Sequence, residues 1–471
     1  MSVAGSAGAD ASKGVLGRGS IYTLGTAAPI LANAAVVPLV TRMLGKHDYG
    51  IVAIAVVVIQ VAMMAGSFGM PSVITRQGIL AGSGDAGARA LLVRGSLMTV
   101  GLMALLILLS PLWDPLVQES LRGPLLLALA ASAFFVVVEN SQALLRVLDR
   151  PGSFVALSLT ATLGGPLLGL ALLTQHRSPD RYLGGLVGGY AVAAIVGVIL
   201  SLQGGRPAGE PGDTRAALRM GLPVIPHLLA LFLASGALVF LAGHLYGVAT
   251  AGRIQLALLV GSSPAVITSA LNNSWAPIVY RAPADERGLV LAHTARDVMT
   301  LAALVSGGVA LLSPWLMRLV AGPGFRPLEL VPAVAIVAMG TVLSVAYLAN
   351  VHLIFAAGRS LWLSVVTPLS LLIGLAVAYL VGRQNLLLLT VGFPATYATL
   401  AVATAWLRRY VHAASWNEAT LLTRAGLGLA LCTLGAVLPT SGATALVRVA
   451  IAALAGLGTV WLVRSILRSQ H

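Results

Sequence analysis

Charge is scarce in this chain. Only 9% of its 471 residues are Asp, Glu, Lys or Arg, and 58% are hydrophobic, whereas a soluble domain carries about 25% charged residues. Too little polar surface remains to cover a soluble globule of this length, and the mean hydropathy of +0.93 agrees. Acidic residues are scarcest, 15 against 29 basic ones, and no two carboxylates stand together on one membrane face as acid–base catalysis would need. Cysteine occurs once, as Cys432 inside an apolar run, which excludes an intrachain disulfide framework and a cysteine-rich zinc site. The sequence also lacks HExxH, GxSxG and a glycine-rich loop ending in GK[ST]. Zinc-peptidase, serine-hydrolase and P-loop chemistry therefore have no motif to stand on, and no cofactor is expected.

What the chain does have is apolar runs long enough to span a bilayer, which takes about 20 mostly apolar residues. They lie near 20–41, 50–73, 92–113, 124–146, 153–174, 183–203, 217–242, 250–273, 298–319, 329–356, 361–381, 386–407, 422–439 and 443–467, fourteen in all. The basic residues fall in ones and twos between these runs, not in a stripe or arm, so no nucleic-acid partner is expected. With the amino terminus placed inside, 19 Lys and Arg face the cytoplasm and 10 face out, so both termini are expected to be cytoplasmic. Lys13, Arg18 and "ANA" at 32–34 imitate a signal peptide, but the apolar run continues through Val40 and no cleavage is expected.

One charged stretch repeats. "LVTRMLGKHDYGIVAIA" at 39–55 aligns without a gap to "LAGHLYGVATAGRIQLA" at an offset of 202, placing Gly45 on Gly247 and Gly50 on Gly252. "SPLW" at 110–113 has a counterpart in "SPWL" at 313–316. Each echo lies at the same place in a set of six helices. The expected fold is an all-α polytopic membrane protein of about fourteen transmembrane helices, as two six-helix bundles plus two C-terminal helices. The boundaries are a bundle at 1–203, a cytoplasmic linker at 204–216, a bundle at 217–410 and two additional helices at 411–471. Parallel repeats of this kind mark transporters, with the substrate path expected between the halves.

The first echo, with "FGMPSVITRQ" after it, resembles the polysaccharide transporters of the multidrug/oligosaccharidyl-lipid/polysaccharide flippase superfamily, the Wzx-like O-antigen and exopolysaccharide flippases. The residues that carry the resemblance are Arg42, Leu44, Gly45, Asp48, Tyr49 and Gly50, then Gly69, Pro71 and Arg76. "SPWLMRLVAGPGF" at 313–325 and "LIFAAGRS" at 353–360 extend it to the second half, whereas Lys46 and His47 depart from the family's small or acidic residues. The resemblance implies a V-shaped fourteen-helix flippase of the bacterial inner membrane. Its substrate would be an oligosaccharide on undecaprenyl pyrophosphate, and its partners membrane lipids and polysaccharide assembly proteins.

A lipid-linked sugar needs a polar cavity and cations for its pyrophosphate, and arginine, always charged and with paired donors, suits phosphate. Arg18 and Arg219 begin the first and seventh helices, Arg76 and Arg281 follow the second and eighth, and Arg42 stands at the outer mouth. His227 follows Arg219 on the same helical face beside Pro223 and Pro226, and Asn33, Asn272 and Asn273, with Asn350 and His352 of the tenth span, are further polar contacts expected inside the bundle. For each of these an ordinary role, as a boundary arginine or an interhelical hydrogen bond, stands beside the substrate role. Glu139, with Arg146 two turns on, is the ion-coupling candidate, with a structural ion pair as the alternative. Gly184, Gly185, Gly188 and Gly189 form two overlapping GxxxG patterns expected to pack helices. Three other functions compete: a multidrug exporter or a lipid II flippase of the same superfamily, and a membrane polysaccharide polymerase or ligase. The first helix has no carboxylate for a cationic drug, and the outer loops are too short for the polymerase.

Overall fold

The computed structural model describes residues 3–80, 84–208, 211–283 and 285–468, with the backbone alone at 3–34, 80, 211–213, 270, 273–274, 276–277, 281 and 466–468. Every regular element among the described residues is helical. In hydrocarbon no water pairs with backbone amides and carbonyls, so a spanning segment satisfies them internally as a helix.

The helices are α1 (Val3–Gly66), α2 (Met70–Leu80), α3 (Gly84–Leu108), α4 (Ser110–Trp113), α5 (Glu119–Val147) and α6 (Pro151–Gln175). They continue with α7 (Pro179–Leu202), α8 (Pro211–Gly221), α9 (Ile225–Tyr246), α10 (Val248–Gly261), α11 (Ala265–Arg281) and α12 (Arg287–Val320). The last five are α13 (Val331–Ala356), α14 (Leu363–Gly382), α15 (Gly392–Tyr410), α16 (Leu422–Val437) and α17 (Ala443–Arg468).

Twelve helices among the described residues are long and apolar enough to cross a membrane, against the fourteen expected. Two features account for the difference. α1 holds two expected spans in one assignment, because the turn between them is the single residue Gly45, at φ 71° and ψ 177°. The run expected at 250–273 is split by Ser262–Pro264 into α10, of only 14 residues, and α11.

Gly45 and its echo Gly247 have the same conformation, φ 71° and ψ 177° against φ 88° and ψ 160°. That region is open essentially to glycine alone, so both hairpins turn on one residue and need glycine there.

Contacts divide the chain into two compact units, Met1–Leu44 with Ala55–Ile225, and Gly45–Ile54 with Pro226–His471. In the first unit α5 packs on α3, α6 and α7, around Val138, Phe154, Leu157 and Ala193. A second core joins α2, α3, α5 and α8 through Met70, Ile74, Leu91, Leu144 and Ala217. The GxxxG glycines of α7 divide by face. Gly185 abuts Gly169 of α6 and Gly189 abuts Gly165, where an added Cβ would lie 2.2 Å from backbone nitrogen in each case, while Gly184 meets nothing within 4 Å. Without a hydrophobic drive between helices in lipid, such close backbone contact is a main source of association. Gly185→Ala is therefore expected to destabilise by about 1–3 kcal/mol, the usual range for overpacking, and Gly184→Ala to be neutral. Detergent unfolding midpoints check this, and equal midpoints would remove the assigned packing face.

In the second unit α13 is central, packed by α10, α12, α15 and α16. It supplies Val342 and Val345 to one core cluster and Tyr347, Val351 and Ile354 to another. Gly45–Ile54 of the first echo also belongs here. Its Gly50 lies against α10, where a Cβ would come 2.1 Å from the Val248 carbonyl oxygen, and Gly252 faces Gly50 in return. The Tyr49 ring meets Phe325 edge-on, at 5.6 Å between centroids and 83°. The matched glycines are thus a helix crossing, and the Tyr-Gly pair of the first echo is a packing device.

Candidate functional site

α8 carries Arg215 and Arg219 on its exposed side and Ala217 on its buried side. It ends in a 3₁₀ turn, Leu222–Val224, because Pro223 and Pro226 offer no amide hydrogen to continue the ladder. α2 begins just after Gly69, whose φ of +71° turns the chain. The two helix ends touch there, with a Cβ on Gly69 placed 2.7 Å from Gly221 Cα. This approach carries the guanidinium of Arg76 onto the sulfur of Met220, next to Arg219. From α3, Arg94 Nη1 donates to Thr214 Oγ1 at 3.1 Å. α2 and α3 therefore each place an arginine on α8, Arg76 at Met220 near its end and Arg94 at Thr214 near its start, and α8 itself carries Arg219. Charge concentrated at a membrane helix end is costly unless it faces water or an anion, and guanidinium forks match phosphate oxygens.

Arg76 and Arg219 are sequence candidates that the fold brings together. Arg94 was missed, because it sits inside α3 where hydropathy alone places an ordinary boundary cation. Its only local signal is its distance from the helix start at Gly84.

The second unit holds two buried polar groups. His227 of α9 is 6% exposed, with Nδ1 2.7 Å from Thr367 Oγ1 of α14 and Nε2 3.5 Å from the Tyr347 hydroxyl of α13. Both ring nitrogens are engaged inside the bundle, which makes His227 a packing node joining three helices. The second group lies between α11 and α13. His352 is flanked by the rings of Trp275, 4.8 Å away, and Tyr280, 6.0 Å away. Among the described residues its Nε2 and the Oδ1 of Asn272 are buried without a hydrogen-bond partner. Such groups cost about 1–3 kcal/mol each, so they mark where a polar ligand would be accepted. Asn272 and His352 both keep their candidacy on this ground.

The other candidates stand apart from these clusters. Arg42 is exposed at the first hairpin and donates to the Pro38 carbonyl at 2.7 Å. Glu139 is half-buried in α5, next to Asn140, whose amide donates to Ser96 Oγ at 3.3 Å. Arg146 is exposed, with its guanidinium 5.4 Å from the Phe154 ring centroid. The side chains of Arg18, Asn33, Asn273 and Arg281 lie outside the described residues.

Several arginines counted as membrane anchors are instead clamps on helix ends. Arg89 donates to the Ser201 carbonyl, and Arg150 to those of Leu200 and Gln203, so two cations close the C-terminus of α7. That end carries unpaired carbonyls and the negative end of the helix dipole. Arg448 of α17 is wholly buried and donates to the carbonyls of Leu311, Ala310, Leu438 and Gly435. Arg408 is 3% exposed and spans Asn350, the Ala414 carbonyl and Glu418. Among the described residues no group of three or more His, Cys, Asp or Glu side chains is placed to hold a metal ion.

Residues 16–282 match the family described as "Polysaccharide biosynthesis protein". Among solved structures, the fold is similar to a lipid II flippase, MurJ, in an inward closed conformation. The TM-score is 0.68 at 12% identity, over 95% of this chain and 99% of that one. It is also similar to an inward-facing multidrug resistance MATE family transporter of the MOP superfamily, with TM-score 0.66 at 16% identity, over 82% of this chain and 94% of that one. A MATE protein in its straight conformation aligns at TM-score 0.60 and 14% identity, over 84% and 95% of the two chains. No curated protein matches the sequence.

Proposed function

Because the chain belongs to the polysaccharide biosynthesis protein family, we propose that it is a flippase carrying an undecaprenyl-pyrophosphate-linked oligosaccharide across the bacterial inner membrane, for assembly into a surface polysaccharide. Family and fold point to a transporter and away from a catalyst. The observation that carries the anionic lipid-linked substrate is the meeting of Arg76, Arg94 and Arg219 on α8. These cations would take the pyrophosphate, because hydrogen bonds from charged donors to phosphate are the strong ones. Asn272 and His352, with free hydrogen-bonding capacity beside Trp275, would take sugar hydroxyls, a ring against a sugar face being a packing contact of large area. The mechanism is alternating access, with both termini cytoplasmic, and ion exchange at Glu139 as a source of drive.

The extent of the fold supports a lipid substrate over a drug. The lipid II flippase covers 95% of the chain and the MATE transporter 82%, so the chain extends beyond the drug-transporter fold by more than it extends beyond the lipid-flippase fold.

Proteoliposomes holding the purified protein test the reading. A fluorescent undecaprenyl-pyrophosphate oligosaccharide is expected to cross the bilayer faster than in empty vesicles, and faster than a cationic drug offered in competition. Arg94→Gln should slow it at least about tenfold, the lower end of the loss expected for one charged hydrogen bond of about 1.5–3 kcal/mol. Drug efflux with no lipid movement would overturn the proposal.

A further inference from the structure

Beyond the transport site, the second unit has a crevice of about 490 Å³ whose walls come from α12, α13, α15 and α16. Its floor is apolar, with Met299, Leu343, Ala401 and Ala425 among its lining. Its polar lining includes Arg409 and Glu418, with Trp406 beside them.

The charge at this mouth does not balance. Arg408 and Arg409 share one carboxylate, that of Glu418. Arg408 is buried and holds Glu418 Oε1 at 2.5 Å through Nη2, with Nε on Asn350 Oδ1 at 3.0 Å and Nη1 on the Ala414 carbonyl at 3.1 Å. All three of its nitrogens are engaged. Arg409 reaches Glu418 Oε2 only at 3.6 Å, beyond a good hydrogen bond, and its side chain is 69% exposed. One unit of positive charge is therefore left over, on a planar fork that suits a phosphate. Trp406 and Tyr410 stack beside it at 5.3 Å and 14°, 61% and 55% exposed, and Trp362 stands edge-on to Tyr410. Exposed Trp and Tyr of this kind lie at the headgroup level of a bilayer.

We propose that this crevice is a resident-lipid site, holding an anionic phospholipid with its phosphate on Arg409 and one acyl chain against the apolar floor. The occupant is anionic because the surplus charge is positive, and a lipid because the polar mouth and apolar floor meet beside an aromatic belt. The position, at the end of α15 and against α16, joins the last helices of the chain to the central α13. A lipid held there would cement that packing, as phosphate neutralises the cation that Glu418 leaves uncompensated at this mouth.

The test uses the full-length protein in nanodiscs of zwitterionic phosphatidylcholine doped with a diazirine-bearing lipid. The label has either a phosphatidylglycerol or a phosphatidylcholine headgroup, and the adducts are mapped by peptide mass spectrometry. The glycerol lipid is expected to label the α12, α15 and α16 walls at least about fivefold more than the choline lipid. Arg409→Gln should remove that preference, and Ala425→Phe, which fills the floor, should remove the labelling. Arg383→Gln, at the end of α14, should leave both unchanged. Equal labelling by the two lipids, or a preference that survives Arg409→Gln, overturns the proposal. Displacement of the label by undecaprenyl-pyrophosphate oligosaccharide also overturns it, by making the crevice part of the transport path.

Discussion

Arg448→Ala is expected to lower the stability of the second unit by about 3–5 kcal/mol, since each buried carbonyl left without a donor costs about 1–3 kcal/mol. Arg448 is wholly buried and joins α17 to α16 and α12. It pairs with carbonyls of α12, Ala310 and Leu311, and of the end of α16, Gly435 and Leu438. Deleting it leaves those last two oxygens, at a helix end, without the donor that closes them. Arg448→Lys keeps the charge but cannot serve several acceptors from one planar fork, so it should recover only part of the loss. The single thiol provides the readout. Cys432 is buried in α16, one turn from Gly435, so a thiol-reactive dye reports when that helix opens on heating. The midpoint should fall by at least about 5 °C for the alanine variant, since a domain of 150–250 residues shifts about 2–4 °C per kcal/mol. A midpoint within about 1 °C of the parent would mean the clamp contributes nothing to the packing of α16 and α17.

The second large effect falls on transport. Arg76→Gln combined with Arg219→Gln is expected to slow lipid-linked oligosaccharide movement by about 100-fold. In the proposed function each guanidinium would contribute a charge-assisted contact to phosphate, and about tenfold per contact follows from 1.4 kcal/mol per decade. Both residues are exposed on the first unit, Arg76 midway along α2 and Arg219 in the last turn of α8, so the loss should come without a change in unfolding midpoint. Lysine replacements should restore a part, since they keep charge without the bidentate fork. Transport in proteoliposomes and dye-monitored melting together separate the cases. Unchanged movement in a folded double variant would remove the arginine cluster from the substrate path. Slowed movement with a lowered midpoint would reduce the cluster to a helix clamp.

The polar groups divide by how far their signal reaches along the chain. Arg76 and Arg219 were legible because they flank apolar runs, and Asn272 because it interrupts one. Arg94 was not singled out with them, since what makes it a candidate is a neighbour distant in sequence, Thr214; His352 was legible as a polar residue inside an apolar run, but its ring neighbours Trp275 and Tyr280 were not. His227, beside two prolines, reads equally as a substrate contact and as a packing histidine, and only the fold supplies its partners Thr367 and Tyr347, 140 and 120 residues away.

By itself the sequence determined that this is an all-helical membrane protein, because hydropathy is a local quantity and each spanning helix satisfies its own backbone. It also determined the two hairpins, since only glycine takes the conformation that Gly45 and Gly247 share. Tertiary structure decided which glycines of α7 touch α6. The overlapping patterns at 184–189 are equivalent in sequence, and only the contact with Gly165 and Gly169 separates them. It also decided what each arginine does. A guanidinium beside an apolar run reads the same whether it meets a headgroup, a substrate or a carbonyl. Arg409 at a crevice mouth, Arg76 on α8 and Arg448 on four backbone oxygens differ only in partners supplied by other parts of the fold.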